Sequence, residues 1–235
     1  MTTREAVQNN GFAVIPEVLS TQEITGILDD LKDTKLRRSK AGVRNAMDSV
    51  GIARLASDSE LLVIAREVLG EGAFPYRATL FDKSSAANWL VAWHQDTALP
   101  MQERRDMPGW GPWSVKEGVI YAHAPADALS HMLALRVHLD DSTAQNGPLR
   151  VLPATHQLGV LNDDAIHHLA GEITPINCLV PRGGVLAMRP LLVHASSKSL
   201  IAAPRRVLHV EYADSAILSE GLSLAVVEKP ATVSA

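Results

Sequence analysis

The chain has 235 residues, 46% of them hydrophobic, and a formal net charge of −4, enough apolar material for one well-buried domain. With no long Lys/Arg block there is no electrostatic footprint for nucleic acid or an anionic membrane surface, and no run approaches the ~18 consecutive apolar residues of a membrane span. The N-terminal "MTTREAVQNN" lacks the charged-then-hydrophobic order of a signal peptide, and the single Cys178 excludes an internal disulfide and a multi-cysteine zinc cage. A cytoplasmic protein with a small-molecule partner is expected; oligomeric state is not readable.

Phe12–Ile15 reads as a short strand. Ser20 followed three residues later by Glu23 is a capping box that starts a helix through "TQEITGILDDLKD", where Ile24, Ile27, Leu28 and Leu31 recur at helical spacing. The basic stretch "TKLRRSKAGVRNAMD" reads as a solvated loop from which Arg44 reaches toward a substrate anion. A second helix is predicted from Asp58 to Leu69, stopped by Gly70. Residues 1–72 thus form a helical N-terminal layer.

After residue 73 the pattern changes to short β-like runs separated by Gly, Pro, Asn and Asp: "YRATLF", "NWLVAWHQD", "MLALRVHLD", "LRVLPATH", "GGVLAMRPLLVHA" and "RRVLHVEYA". Their succession without long helices predicts an antiparallel sandwich or barrel over 73–215, with 216–235 as a C-terminal extension and 1–235 as a single domain. Residues 97–130 interrupt the pattern with clustered Pro and Gly and two of the four tryptophans, Trp110 and Trp113. A loop this long, rich in aromatics, predicts an ordered lid.

Within "AWHQDT", His94 and Asp96 occupy i and i+2 of a strand, so both project from one face while Gln95 turns away. A mononuclear iron site of the facial type adds a second histidine and leaves three positions open. Spacing alone does not identify that histidine. His167, His168, His156, His123 and His131 sit in polar or loop contexts; His194 ends an apolar run before "ASSKS", and His138 and His209 stay in play by strand parity. Eleven residues past His194, Arg205 begins the next strand, where a hairpin would set it beside His194 to pair with a cosubstrate carboxylate; only one of Arg205 and Arg206 can face inward.

His94-Gln-Asp96, "NGPLRVLPATH" (146–156), His194-Ala-Ser196 and Arg205-Arg-Val, in that order, resemble the phytanoyl-CoA dioxygenase family of Fe(II)/2-oxoglutarate-dependent oxygenases, and the opening "NNGFAVIPEVLSTQEI" is similar too. The resemblance implies a mainly β (α+β) fold, a double-stranded β-helix (jelly-roll, cupin-like) barrel with flanking N-terminal helices. It makes His94, Asp96 and His194 the iron ligands, has Arg205 bind 2-oxoglutarate with Ser196 beside it, and brings Arg136 to the cosubstrate or a substrate anion. One departure is Ala154, where family members often carry glycine, a matter of turn geometry. Asp96 stands where related halogenases carry a small residue, so hydroxylation with release of succinate and CO2, consuming O2, is the expected reaction. Trp110, Trp113, Tyr121, His123, Arg44 and Lys83 are the candidates for the substrate pocket. Two other readings stay open: a zinc-type hydrolase on the same triad, and a non-catalytic ligand-binding barrel.

Overall fold

Helices cover one face of a sheet in the computed structural model, which describes residues 1–33, 42–57, 60–84, 87–219 and 221–226. The chain opens with α1 (Thr3–Asn10), β1 (Phe12–Ile15), α2 (Thr21–Asp33), β2 (Gly42–Val43), α3 (Val50–Ser57) and α4 (Glu60–Leu69). The capping box predicted for α2 is present: the Ser20 N–H donates to Glu23 Oε2 at 2.7 Å, and the Glu23 N–H to Ser20 Oγ at 3.2 Å. Gly70, at φ 105°, ends α4 as expected. Asp58, the predicted start of that helix, and residues 34–41 of the basic stretch lie outside the described residues. Within the N-terminal layer two helices were not expected, α1 and α3, each only 8 residues long and too short for a clear period.

The β region comprises β3 (Phe74–Lys83), β4 (Val91–His94), β5 (Ala98–Met101), β6 (Trp113–Lys116), β7 (Val119–His123), α5 (Ala126–Ser130), β8 (Met132–His138), β9 (Leu149–Val151), α6 (Asp163–Glu172), β10 (Ile176–Cys178), β11 (Val185–Met188), β12 (His194–Ser196) and β13 (Arg205–Ala213), then a small hairpin of β14 (Ile217–Ser219) and β15 (Leu222–Ser223). A six-stranded sheet in the order β1-β11-β8-β13-β3-β2 faces a four-stranded sheet in the order β10-β9-β12-β4, and the named strand pairings are all antiparallel. This is the expected jelly-roll, a double-stranded β-helix with an N-terminal helical layer.

Strand parity decides what each face carries. On the outer face of the larger sheet, Ala78 and Leu80, Leu133, Leu135 and Val137, and Leu208, Val210 and Tyr212 join the buried faces of α2, α3 and α4 in one core. The Tyr212 hydroxyl also donates to Ala56 O at 2.9 Å, fastening β13 to α3. The alternate residues of the same strands turn into the barrel. They are the polar set: Arg77, Thr79 and Lys83 on β3, Arg136 and His138 on β8, and Arg205, His209 and Glu211 on β13.

Three expectations are corrected. "GGVLAMRPLLVHA" is not one strand: the chain turns at Arg189–Leu192, where the Leu192 N–H donates to Arg189 O at 3.1 Å and Pro190 has no N–H for a ladder. Its halves, β11 and β12, therefore belong to opposite sheets. No hairpin joins β12 to β13 either; the connection crosses between sheets, so Arg205 faces the His194 strand across the barrel. The segment 97–130 is not an irregular loop but a three-stranded sheet, β5-β7-β6, followed by α5, and its core of Leu99, Met101, Ala122 and Leu129 packs on Tyr76 and Met132.

Candidate active site

His94 closes β4 and His194 opens β12, and the antiparallel register sets them opposite one another with ring centroids 4.2 Å apart. Asp96 lies just past the strand end, where its N–H donates to Pro190 O at 2.9 Å. Its two carboxylate oxygens approach the two imidazoles: Oδ1 is 3.5 Å from His94 Nε2 and Oδ2 is 3.5 Å from His194 Nε2. One ligand atom from each residue falls within 4.8 Å of the others. His94 Nδ1 is 2.8 Å from Ala92 O and His194 Nδ1 is 2.8 Å from Leu192 O. A carbonyl only accepts, so Nδ1 carries the proton in each ring and Nε2 presents its lone pair to the cluster.

Burial lowers the His194 pKa to about 4, which keeps that ring neutral at pH 7. Burial works to raise the Asp96 carboxyl, but His194 and His94 outweigh it and hold it well below the usual carboxylate range. Burial works to lower the His94 pKa, but Asp96 outweighs it and raises it. Two imidazoles and a carboxylate converging from one side are the donor set of a first-row divalent metal with open positions. Gln95 turns away as predicted. Its Nε2 donates to Gly159 O at 2.9 Å and Leu191 O at 2.7 Å, and its Oε1 accepts from the Leu161 N–H at 2.8 Å, locking the ligand strand to its neighbours.

The cluster opens on a cavity of about 160 Å³ whose far wall carries Arg136, Arg205 and His209. Arg205 pairs in register with Lys83, whose Nζ donates to Ser197 O at 2.7 Å and Ser196 Oγ at 3.3 Å. Burial, followed by the neighbouring guanidiniums, lowers the Lys83 pKa to about 8, and burial and Arg136 lower that of Arg205 to about 10. Among the described residues, none of Lys83, Arg136 and Arg205 forms an ion pair. Three buried cations without a carboxylate are a standing electrostatic cost unless a ligand anion joins them. Arg206, by contrast, turns out of the barrel to a bidentate pair with Asp140, at 2.7 and 2.8 Å. A larger cavity of about 310 Å³, around Arg189 and His156, contains none of the clustered ligands.

Residues 7–207 match the family described as phytanoyl-CoA dioxygenase (PhyH). The chain belongs to the phytanoyl-CoA dioxygenase family. As a member of that family it is an Fe(II)- and 2-oxoglutarate-dependent dioxygenase, a hydroxylase rather than a halogenase, and its His-Asp-His cluster, with the Asp96 carboxylate present, could hold a metal ion. L-proline trans-4-hydroxylase of Streptomyces griseoviridis is 26% identical over 242 residues, spanning 86% of this chain and 82% of that protein. The phytanoyl-CoA dioxygenase fold also recurs in EctD from S. alaskensis, solved with 2-oxoglutarate and 5-hydroxyectoine, at TM-score 0.70, 19% identity and coverage of 98% of this chain and 81% of that one. HygX from Streptomyces hygroscopicus, with nickel and 2-oxoglutarate bound, aligns at TM-score 0.65 and 18% identity over 91% of this chain and 87% of that one. Small molecules are thus the substrates on which the phytanoyl-CoA dioxygenase relatives act. No helix among the described residues is long and apolar enough to cross a membrane.

The remaining candidates scatter. Tyr121 alone of the aromatic set lines a second cavity, of about 200 Å³, at the mouth of the site. Trp110 and Trp113 pack against the core of the 97–130 sheet and line neither this cavity nor the metal-side one. Their rings anchor that segment, a correction that follows from the apolar face of β5 and β7 needing cover. His123 is exposed and 2.6 Å from Thr97 Oγ1 through Nδ1. Arg44 makes an exposed ion pair with Glu117 at 3.8 Å, joining the 42–48 segment to the β6–β7 hairpin. Lys83 belongs with Arg205, not with the substrate mouth, and Asn88 holds Ser199 through two hydrogen bonds. Sequence reasoning missed Arg77 and Glu211. Counting back by twos from Lys83, and forward by twos from Arg205, would have found both.

Proposed function

We propose that this cytoplasmic oxygenase hydroxylates a small polar molecule, with His94, Asp96 and His194 holding Fe(II), and Arg205, Lys83 and Ser196 holding the distal carboxylate of 2-oxoglutarate. One observation carries the reading: the His-Asp-His cluster and two buried guanidiniums without an ion pair, Arg136 and Arg205, line a single cavity, with the Lys83 ammonium behind its Ser196 wall. The donor set suits iron, and the opposite wall suits a dicarboxylate. When bound, iron and 2-oxoglutarate supply oxidative decarboxylation coupled to insertion of one oxygen atom into a substrate C–H bond, with succinate and CO2 released.

The chain's own groups do the positioning. Arg205 is fixed by its Nε donating to Asn146 O at 3.2 Å, which leaves the outer guanidinium edge for a bidentate carboxylate. Gly147, at φ 68°, lets that turn approach Ser197 so closely that a Cβ would lie 2.3 Å from Ser197 O, and the same Ser197 carbonyl orients Lys83. Arg136, braced between the Phe81 ring at 5.2 Å and His209 Nδ1 at 3.1 Å, adds a second guanidinium to this wall. Zinc hydrolysis would use the triad alone and give the cationic wall no role.

Mixing the apo-protein anaerobically with Fe(II) and 2-oxoglutarate tests the reading. A weak visible metal-to-ligand charge-transfer band is expected, and His194→Ala should abolish it. Arg205→Ala should raise the 2-oxoglutarate concentration needed, since losing a buried charge-assisted pair costs on the order of 2–5 kcal/mol. Folded protein without the band overturns the proposal.

A further inference from the structure

Arg77 lines both the metal-side cavity and the cavity at the mouth, so it stands at their junction. One edge of its guanidinium is occupied: Nε and Nη2 both donate to the Glu211 carboxylate. Nη1 has no hydrogen-bond partner among the described residues, and the side chain retains 24% of its surface. Tyr121 packs over it, its ring centroid 5.5 Å from the guanidinium carbon. The arrangement is a guanidinium held by a carboxylate through Nε and Nη2, with Nη1 left without a partner on a side chain that lines both cavities.

Charge balance points the same way, resting on the proposed function above. Three guanidiniums, Arg77, Arg136 and Arg205, line the metal-side cavity together with the Asp96 carboxylate; directly behind its wall lie the Lys83 ammonium, on Ser196, and the Glu211 carboxylate, on Arg77, so four cations stand against two carboxylates. Fe(II) and the 2-oxoglutarate dianion offset one another, so the loaded site keeps a net positive charge beside Arg77. A further anion is favoured there. The wall of the mouth cavity carries the opposite sign in the exposed Asp48, next to apolar Met47, Val119 and Pro100.

We propose that Arg77 anchors the substrate's carboxylate, and that the substrate is a small amino acid whose ammonium faces Asp48 and whose side chain enters the metal-side cavity. The carbon oxidised is then on the side chain. One oxygen atom of O2 enters its C–H bond as hydroxyl, and the other enters the succinate formed from 2-oxoglutarate.

The test uses the whole enzyme with Fe(II), ascorbate, 2-oxoglutarate and a pool of the proteinogenic L-amino acids including proline, against a matched pool of their carboxamides. Mass spectrometry should detect a gain of one oxygen atom in the acid pool only. Equal hydroxylation of the carboxamides overturns the proposal. So does no product from the acid pool by protein that shows the charge-transfer band and turns over 2-oxoglutarate slowly without substrate. Loss of the band itself instead overturns the oxygenase reading, and this inference with it.

For the acid hydroxylated, Arg77→Gln made together with Glu211→Gln, so that no lone carboxylate is left buried, should raise KM on the order of 100-fold while the band persists. An unchanged KM removes Arg77 as the anchor. Arg77→Lys, which keeps the charge on Glu211, supplies the same comparison if the double variant does not fold. Asp48→Asn, at an exposed position, should raise KM by roughly threefold to tenfold; an unchanged value overturns the ammonium placement.

Discussion

Lys83→Met separates the two effects of a buried cation, one on the fold and one on the ligand. Lys83 is 1% exposed, and its pKa falls from 10.5 to about 8 through burial and then through Arg205 and Arg136. In the unfolded chain the ammonium keeps its ordinary affinity for the proton. At pH 7 both states are protonated, so the folded state bears the whole cost, which fades only as pH rises from 8 toward 10.5. At ~1.4 kcal/mol per pH unit, that cost is about 3 kcal/mol. Methionine keeps much of the side chain's packing but forfeits the hydrogen bonds to Ser197 and Ser196, at ~1 kcal/mol each. The net gain for the cosubstrate-free protein is about 1 kcal/mol, a Tm rise of ~2–4 °C in a chain of this size. The sign reverses on the ligand: 2-oxoglutarate should bind the variant roughly tenfold to a hundredfold more weakly, because a carboxylate loses a buried cationic partner. Scanning calorimetry with Mn(II) in place of iron, with and without saturating 2-oxoglutarate, reads both quantities, and titration calorimetry gives the affinity. A variant that is less stable without ligand yet gains as much from 2-oxoglutarate as the wild type would refute the reasoning.

Arg206→Ala should leave the 2-oxoglutarate requirement unchanged and lower stability to urea by ~1 kcal/mol, since its partly exposed pair with Asp140 lies outside the barrel; a raised requirement would shift the carboxylate-binding role from Arg205. Ala154 is held at φ 63°, a left-handed conformation that costs an L-residue ~1–2 kcal/mol and that glycine adopts freely. Ala154→Gly, after the ~0.4–1 kcal/mol of extra unfolded-chain entropy, should raise the urea midpoint slightly, and a lowered midpoint would show that the methyl group packs usefully. The metal-free protein should lose stability as pH falls from 6.5 through 4 toward 3, because folded His138 and His194 have pKa values of about 3 and about 4 while the unfolded chain protonates them near 6.5. Urea denaturation near neutrality and near pH 5 reads this at ~1.4 kcal/mol per histidine per pH unit, and a flat profile would mean that these rings titrate as exposed ones do.

What the sequence makes legible follows from how local each signal is. The Ser20–Glu23 capping box and the alternation of "MLALRVHLD" are decided within a few residues, and both appear in the fold. His94 and Asp96 also converge, but β4 ends at His94, so Asp96 is placed by its N–H bond to Pro190 O and not by the strand alternation the spacing predicted. The second histidine of the cluster depends on which strands become neighbours: local context favoured His194 but left His138 and His209 in play, and family resemblance chose among them; the cross-strand pair His194–His94 belongs to the register of the sheet. Lys83 looked like a residue of the substrate mouth because its strand precedes the ligand strand, yet pairing with β13 carries it to Arg205. Trp110 and Trp113 misled because an aromatic in a Pro/Gly-rich stretch fits a pocket or a miniature core equally well, and here the segment builds its own core.

The two sheets divide the chemistry between them. His94 and His194 stand on the smaller sheet with Asp96 just past the end of β4, the cationic wall stands on the larger one, and the mouth is formed where Tyr76–Ala78 of β3 meet the 42–48 segment, the 97–130 sheet and the C-terminal residues 225–226. The three outer segments contribute none of His94, Asp96, His194, Arg136 and Arg205 to the metal-side cavity. With the proposed anchor Arg77 kept on its strand, variation in the surface segments would change which molecule is admitted beside it, so a library confined to them would sample new specificities around a fixed carboxylate anchor.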